Sequence, residues 1–349
     1  MYDKTTSTLH YAQSITRPPS AHMSSYSLGA SYGKQSVPVF KVLKHGSGAS
    51  EVHSVLDMVV QVTLFGAVDK SWLSGDNSQI VPTETQKNTC YAIALQHEFD
   101  CPEDYAAILG QDFLSRHRHL STAEICVQAR RWDRIKTTQG DAHNHAFTTC
   151  PDPITTTCKV VVDRTAGGGH GSGHGSGHGS NSSYSVRTSS GVKKLRLLKT
   201  TQSGFEGFIV DKYTTLQPVG SGAGSVSATR MFSTEMTGTW AFSAKPRGGY
   251  AAANSRIREL LVTQFAGDRP DGVFSKSLQE TTYKMCTTVL DAYPSVENVC
   301  LVTPNIHFYR WEGEQFDLKN DNVVFQSTDP GTTASGRIVT TLSRKRSKL

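Results

Sequence analysis

The sequence predicts an α+β fold in which a β-β-α-α-β-β module occurs twice in tandem. Three observations carry this. Apolar residues alternate along some stretches, recur at helical spacing along others, and the order of those stretches repeats in the second half of the chain. Antiparallel strands with paired helices lying on one face satisfy all three. At 349 residues the chain can bury a proper core in each copy.

Residues 1–30 are rich in Ser, Thr and Tyr, lack a hydrophobic period, and read as a disordered extension. Order begins near Ser31, and the first module is expected over 31–158. YGKQSVPVFKVLKHG and VHSVLDMVVQVTLFG form a strand pair around a Gly46-Ser47-Gly48 turn. Thr83 followed by Gln86 gives a capping-box pattern for the helical run KNTCYAIALQ. Pro102 opens a second helix with Tyr105, Ile108, Leu109 and Phe113 on one stripe. AEICVQARRWDRI and AHNHAFTT, parted by Gln139-Gly140, supply the two closing strands.

The second module is expected over 159–343. It has strands at CKVVVDR, SYSVRTSSGVKKLRLLKT and ATRMFSTEMTGTWAF. Helices follow at about 252–266, with Ile257, Leu260, Leu261 and Phe265 inward, and at about 275–292, with Leu278, Thr282, Met285 and Val289 inward. The last strand is VENVCLVTPNIHFYRW. Residues 167–183, with their His-Gly-Ser repeats, read as a flexible insertion in a hairpin loop, because imidazoles on a glycine tether have nothing to orient them toward a metal. A basic tail, 344–349, ends in SKL.

The formal charge of +6 is mild, and acidic and basic residues are mixed, which leaves no extended basic face for nucleic acid. No apolar run reaches the length of a membrane span. Seven cysteines without a CxxC pair fit free thiols. The RHRH run at 116–119 and the His143/His145 pair have the composition of metal sites, yet they read as structural or interfacial.

Three separated motifs carry a resemblance. DNSQIVPTETQKNT, KLRLLKTTQSGFEGFIVDKYTTL and LVTPNIHFYRW, in that order, resemble the signatures of the urate oxidase (uricase) family, and the terminal SKL matches a peroxisomal address. The resemblance implies a tandem of two T-fold modules and four chains joined into a tunnel-shaped barrel with active sites at subunit interfaces. It implies oxidation of urate by dioxygen and water to 5-hydroxyisourate and hydrogen peroxide, without a metal or organic cofactor. A peroxisomal location and recognition by the peroxisomal import receptor follow from the tail. A T-fold enzyme acting on pterins or guanine nucleotides, and a fold-retaining protein without turnover, are the competing readings.

By the same resemblance, Phe205 is the shelf on which urate stacks, Arg230 clamps its oxygens, and Gln279 bonds another edge. Leu278 and Ile338 wall the pocket, while Thr83 and Glu84 close it from a neighbouring chain. Lys34, Thr83 and His307 form a proton relay, and Asn305 with Thr83 holds dioxygen or water. Two features depart from the family pattern: Glu84 stands where Asp is usual, and the segment after Leu216 is longer and glycine-rich.

Overall fold

The structure is a computed structural model that describes residues 26–48, 51–149, 154–165, 184–205, 207–214, 230–321, 323–328 and 331–345. The expected disorder of residues 1–25, the 167–183 insertion and the SKL tail lie outside the described residues. Tyr26–Ala30 hold no helix or strand, and from Ser31 onward the chain packs as one unit.

The elements, in order, are β1 (Tyr32–His45), β2 (Val52–Gly66), α1 (Lys70–Ser74), α2 (Thr83–Gln96), α3 (Pro102–Arg116), β3 (Leu120–Arg130), β4 (Trp132–Lys136), β5 (Ala142–Thr149) and β6 (Thr155–Arg164). They continue with β7 (Tyr184–Lys199), β8 (Phe232–Phe242), α4 (Gly249–Ala266), α5 (Leu278–Ala292), β9 (Val296–Ile306), β10 (Phe308–Arg310), β11 (Phe325–Ser327) and β12 (Arg337–Ser343). Eight strands form one sheet in the order β1-β2-β3-β6-β7-β8-β9-β12, every neighbouring pair antiparallel. β4 with β5, and β10 with β11, form two separate ribbons.

Two runs of elements therefore follow one order: two strands, two long helices, a strand, a ribbon and a closing strand. This refines the expected architecture at three points. The closing strand of the first run is β6, whereas the expected one, AHNHAFTT, belongs to the ribbon. β6 also runs through the expected join at residues 158–159 and pairs with both β3 and β7. The closing strand of the second run, β12, and the short helix α1 carried no expectation.

The repeat extends to cationic side chains that reach from the sheet to the helical layer. β1 bulges after Lys34 with Ser36 at φ +57°, and β7 bulges after Val192 with Lys194 at φ +60°. Five residues beyond each of these left-handed residues stands a lysine. Lys41 Nζ donates to the carbonyls of Ala94 (2.9 Å) and His97 (2.6 Å). Lys199 Nζ donates to the Val273 carbonyl (2.8 Å) and Ser275 Oγ (2.7 Å). Arg164 at the end of β6 donates to the carbonyls of Leu114 and Leu120, and Arg344 just past β12 donates to those of Leu290 and Val296. Helix C-termini leave unpaired carbonyls; Lys41, Arg164 and Arg344 reach those of α2, α3 and α5, whereas Lys199 reaches the loop that joins α4 to α5.

The helices bury their predicted stripes. Tyr105, Leu109 and Phe113 of α3 are fully buried with Ile108 half-buried, and all four stripe residues of α5 are buried. In α4, Ile257, Leu261 and Phe265 are buried and Leu260 is half-buried. Phe40, Val42 and Val59 are exposed apolar strand residues. The seam between the runs is polar: Glu103 of α3 is buried, and its Oε1 accepts from Ser190 Oγ of β7 (2.6 Å) and Asn254 Nδ2 of α4 (2.8 Å). Asn254 Oδ1 in turn accepts from Trp240 Nε1 (2.8 Å). Glu103 Oε2 has no partner.

Burial pushes the Glu103 carboxyl above the usual range, against the opposing effect of its hydrogen bonds. A raised folded-state pKa means that the native chain holds a proton the unfolded chain has released, so this position loses stability as pH rises above the unfolded value of about 4.3. Glu103→Gln should therefore gain on the parent in thermal midpoint as pH rises from about 4 toward neutrality. A midpoint difference independent of pH contradicts this.

Candidate active site

Two groups of the expected residues assemble, at opposite edges of the sheet. The first is built on β1 and α2. α2 lies alongside β1 and runs in the same direction: Val81, just before the helix, meets Tyr32 near the start of β1, and the helix C-terminus meets Lys41 farther along. The helix N-terminus thus opens at the Lys34 end of the strand, with Lys34 half-buried and Thr83 exposed. Glu84 pairs with Lys87 (2.8 Å). The hydrogen bond from Lys87 holds the Glu84 carboxyl below its usual range, and the charge of Lys34 adds a smaller pull the same way.

The expected capping box does not form. Thr83 is the first helical residue, and the cap position belongs to Pro82, which makes no side-chain cap. Proline has neither a side-chain acceptor nor an N–H for the reciprocal bond. Gln86 instead turns into the core and donates from Nε2 to the Val81 carbonyl (3.0 Å).

The second group gathers where β7, β8, β9, α5 and β12 meet. Past β7, residues 202–204 hydrogen-bond to two distant segments. Arg230 N–H donates to the Ser203 carbonyl (2.8 Å), and Ser203 Oγ donates to the Arg230 carbonyl. On the other side, Ser275 N–H donates to Gln202 and Gly204 N–H donates to Ser275, each at 2.9 Å. Phe205, Arg230 and the first turn of α5 are thereby locked to one short ladder. The Phe205 ring is 36% exposed and lies parallel to Phe208, with centroids 5.3 Å apart. Segment 217–229, whose length departs from the family pattern, lies outside the described residues, but the backbone of Arg230 is fixed by Ser203.

α5 begins after Ser277, whose Oγ accepts from Glu280 N–H (3.1 Å). Leu278 is buried and Gln279 exposed. Beneath them, buried Thr282 donates from Oγ1 to the carbonyls of Leu278 (2.9 Å) and Gln279 (3.0 Å), and shares a 2.7 Å hydrogen bond with Thr340 of β12. Thr340 lies two residues past Ile338, so a pair of hydroxyls ties the Gln279 turn to the Ile338 strand. Ile338 faces Thr303 in register, Asn305 faces Thr234, and Asn305 N–H donates to the Gly336 carbonyl (2.7 Å).

His307 does not continue the strand of Asn305, because β9 ends at Ile306. It sits in the break before β10, where Thr328 Oγ1 accepts from its N–H (2.9 Å) and Thr328 N–H donates to its carbonyl (2.9 Å). The imidazole stacks on Tyr309 (5.9 Å).

Within one chain the two groups stay apart. From β1 to β9 is six strand steps, about 29 Å measured along the sheet at the usual spacing. Neither group alone supplies both a ring shelf with a guanidinium and a lysine–hydroxyl pair.

The histidine clusters have local roles. Arg134 donates to the carbonyls of His143 (2.9 Å), Asn144 (2.8 Å) and His53, pinning the ribbon to β2. Burial, and then Arg116, push the His117 imidazole down. Tyr32, Ser203, Ser275, Thr282 and Thr340 carried no expectation as parts of the site, and Gln86 was expected only as the capping partner of Thr83. They act by register and hydrogen bonding across elements, and only the placement of Tyr32 two residues before Lys34 was visible in the sequence.

The sequence profile of the uricase family matches residues 30–159 and 188–335. A uricase from Dictyostelium discoideum is 33% identical over 319 residues, covering 91% of this chain and 97% of that protein. One from Danio rerio is 29% identical over 317 residues, covering 90% and 93%. Among solved structures, the uricase from Arthrobacter globiformis superposes with a TM-score of 0.75 at 28% identity, covering 93% of this chain and 98% of that one. With a family profile spanning most of its length and the same fold from β1 to β12, this chain belongs to the uricase family of urate oxidases.

Proposed function

We propose that the chain oxidises urate with dioxygen and water to 5-hydroxyisourate and hydrogen peroxide, at sites that two copies complete. One observation carries the assembly: the two residue groups occupy opposite edges of a single sheet, so each copy offers two half-sites and no whole one. In the second half-site, Phe205 supplies a flat apolar surface for the purine. The fork of donors on Arg230 suits the in-plane oxygens of an anion, and the Gln279 amide gives and accepts along another edge. Leu278 and Ile338 bound the pocket.

The chemistry requires a proton to leave urate before its ring can reduce dioxygen, and water to reach the oxidised ring afterwards. Lys34 and Thr83 of the other copy would carry that proton, the threonine both accepting and donating. Asn305 would hold dioxygen or water over the stacked ring, and His307 would pass the water proton. Glu84 would contribute through its backbone N–H at the start of α2, where an anion is favoured. Its carboxylate is engaged by Lys87, so the extra methylene relative to Asp leaves that contact unaltered. The assembled form is a homotetramer, and SKL directs it to the peroxisome through the import receptor.

Purified, chelator-treated protein should remove the ultraviolet absorbance of urate with one dioxygen consumed per urate; folded oligomer with neither signal contradicts the reading. Thr83→Ala should lower kcat by at least about a hundredfold while urate binding falls far less, because the shelf and clamp remain. Unchanged turnover removes Thr83 from the relay. Thr282→Val removes the hydroxyl that joins the Leu278 and Gln279 carbonyls to Thr340 and should raise KM about fivefold, a net effect of about 1 kcal/mol. An unchanged KM would show that the Thr282–Thr340 pair does not set the binding turn.

A further inference from the structure

The backbone of Val81 is gripped on both sides of its Cα, at the peptide before it and the peptide after it. Its N–H donates to Tyr32 Oη (2.9 Å) on β1, and its carbonyl accepts from Gln86 Nε2 (3.0 Å) in the first turn of α2. The positions of the two gripping residues relative to the site matter. Tyr32 stands two residues before Lys34, and Val81 stands two residues before Thr83. Tyr32, Gly33 and Lys34 pair regularly with Leu64, Thr63 and Val62, so the side chains of Tyr32 and Lys34 leave the strand on the same face. A bond between residues 32 and 81 therefore fixes the separation of residues 34 and 83.

Neighbouring contacts make this bond rigid. The Tyr32 ring is held edge-on by Trp72, with centroids 6.4 Å apart. Gly33 lies so close to β2 that a Cβ would sit 1.8 Å from the Val62 carbonyl oxygen, which keeps this end of β1 pressed to its neighbour. The bulge that frees β1 from regular pairing begins only after Lys34.

Gln86 supplies an independent observation. It is fully buried, and its Oε1 has no hydrogen-bond partner. A buried acceptor left unpaired costs stability, so an apolar side chain of the same shape would serve the core better. What Gln86 gains in return is its hold on the Val81 carbonyl. From this geometry we infer that Tyr32 and Gln86 are positioning residues that set the Lys34 amine and the Thr83 hydroxyl at their working separation.

The inference rests on the proposed relay of Lys34 and Thr83, and the test separates the two. Tyr32→Phe, Gln86→Met and the double variant are compared with the parent in kcat, in binding of xanthine (a purine that lacks the 8-oxo group) and in thermal midpoint. Tyr32→Phe should lower kcat at least tenfold with xanthine affinity within about threefold of the parent. Gln86→Met should lower kcat three- to tenfold with an unchanged or higher midpoint, because it removes the unpaired acceptor. The double variant should be less impaired than the two single losses added together, since both residues hold the backbone of the same residue, Val81. Hydrogen exchange at the Val81 amide should rise in Tyr32→Phe. Parental kcat in both single variants, or losses that only follow a fall in midpoint, overturn the positioning role. If Thr83→Ala keeps full turnover while Tyr32→Phe loses it, the relay fails and Tyr32 acts by another route, which also overturns the inference. A parent that does not oxidise urate removes the functional reading and this role with it.

Discussion

Eight antiparallel strands in an open sheet leave two edges, and an edge is a row of unpaired backbone N–H and carbonyl groups. Here the edges are β1, fourteen residues long, and β12. Because the number of strands is even and every pairing is antiparallel, the edge strands run in opposite senses. A second copy, turned about an axis along the strands, can therefore continue the ladder across both seams. Closing the sheet satisfies the edges and, under the proposed function, also brings the Lys34 end of one copy to the Arg230 end of the other. Strand pairing and the completion of a site become one event.

Such a site needs halves that are already rigid, because association gains little if each half must still be ordered. The hydrogen bonds within each half meet that need. Ser203 and Ser275 draw three segments far apart in sequence into a short ladder, and the Thr282–Thr340 pair locks the α5 turn to β12. On the opposite edge the Val81 backbone is held between β1 and α2. None of these groups contacts the purine in the proposed arrangement. They restrict how far the contacting groups can move.

Much of the fold was legible because the two periods of apolar residues differ clearly in this chain. The α5 stripe is the plainest case: all four of its residues are buried. The order of strands was less legible. A β-prone run states that it will pair but not with whom, so AHNHAFTT was expected in the sheet although it folds back as a ribbon on WDRIK. β12 is a short alternating strand after a glycine- and threonine-rich loop and gave no comparable signal. The capping box failed for a local reason, Pro82 at the cap position. The site residues were named from the resemblance, inside and outside the three motifs, and the fold puts Lys34 and Thr83 beside the β1 edge and Arg230, Gln279, Asn305 and Ile338 toward the β12 edge. The residues that hold them could not be given that role, because Thr282 reads as a buried stripe position and Gln86 as a capping residue until the register of β12 and β1 is known. The join between modules was expected at 158–159, whereas β6 continues through it and pairs with strands of both runs.

The claim that whole sites arise only between copies is tested most directly by complementation. One variant carries Lys34→Met and Thr83→Ala, damaging only the first half-site; a second carries Arg230→Gln and His307→Asn, damaging only the other. Each alone should be inactive. Unfolded together and reassembled in equal amounts, half of the paired copies are mixed, and each mixed pair regains one intact site of two, so about a quarter of parental activity should return. Mixed oligomers that form yet remain as inactive as either variant would contradict the account.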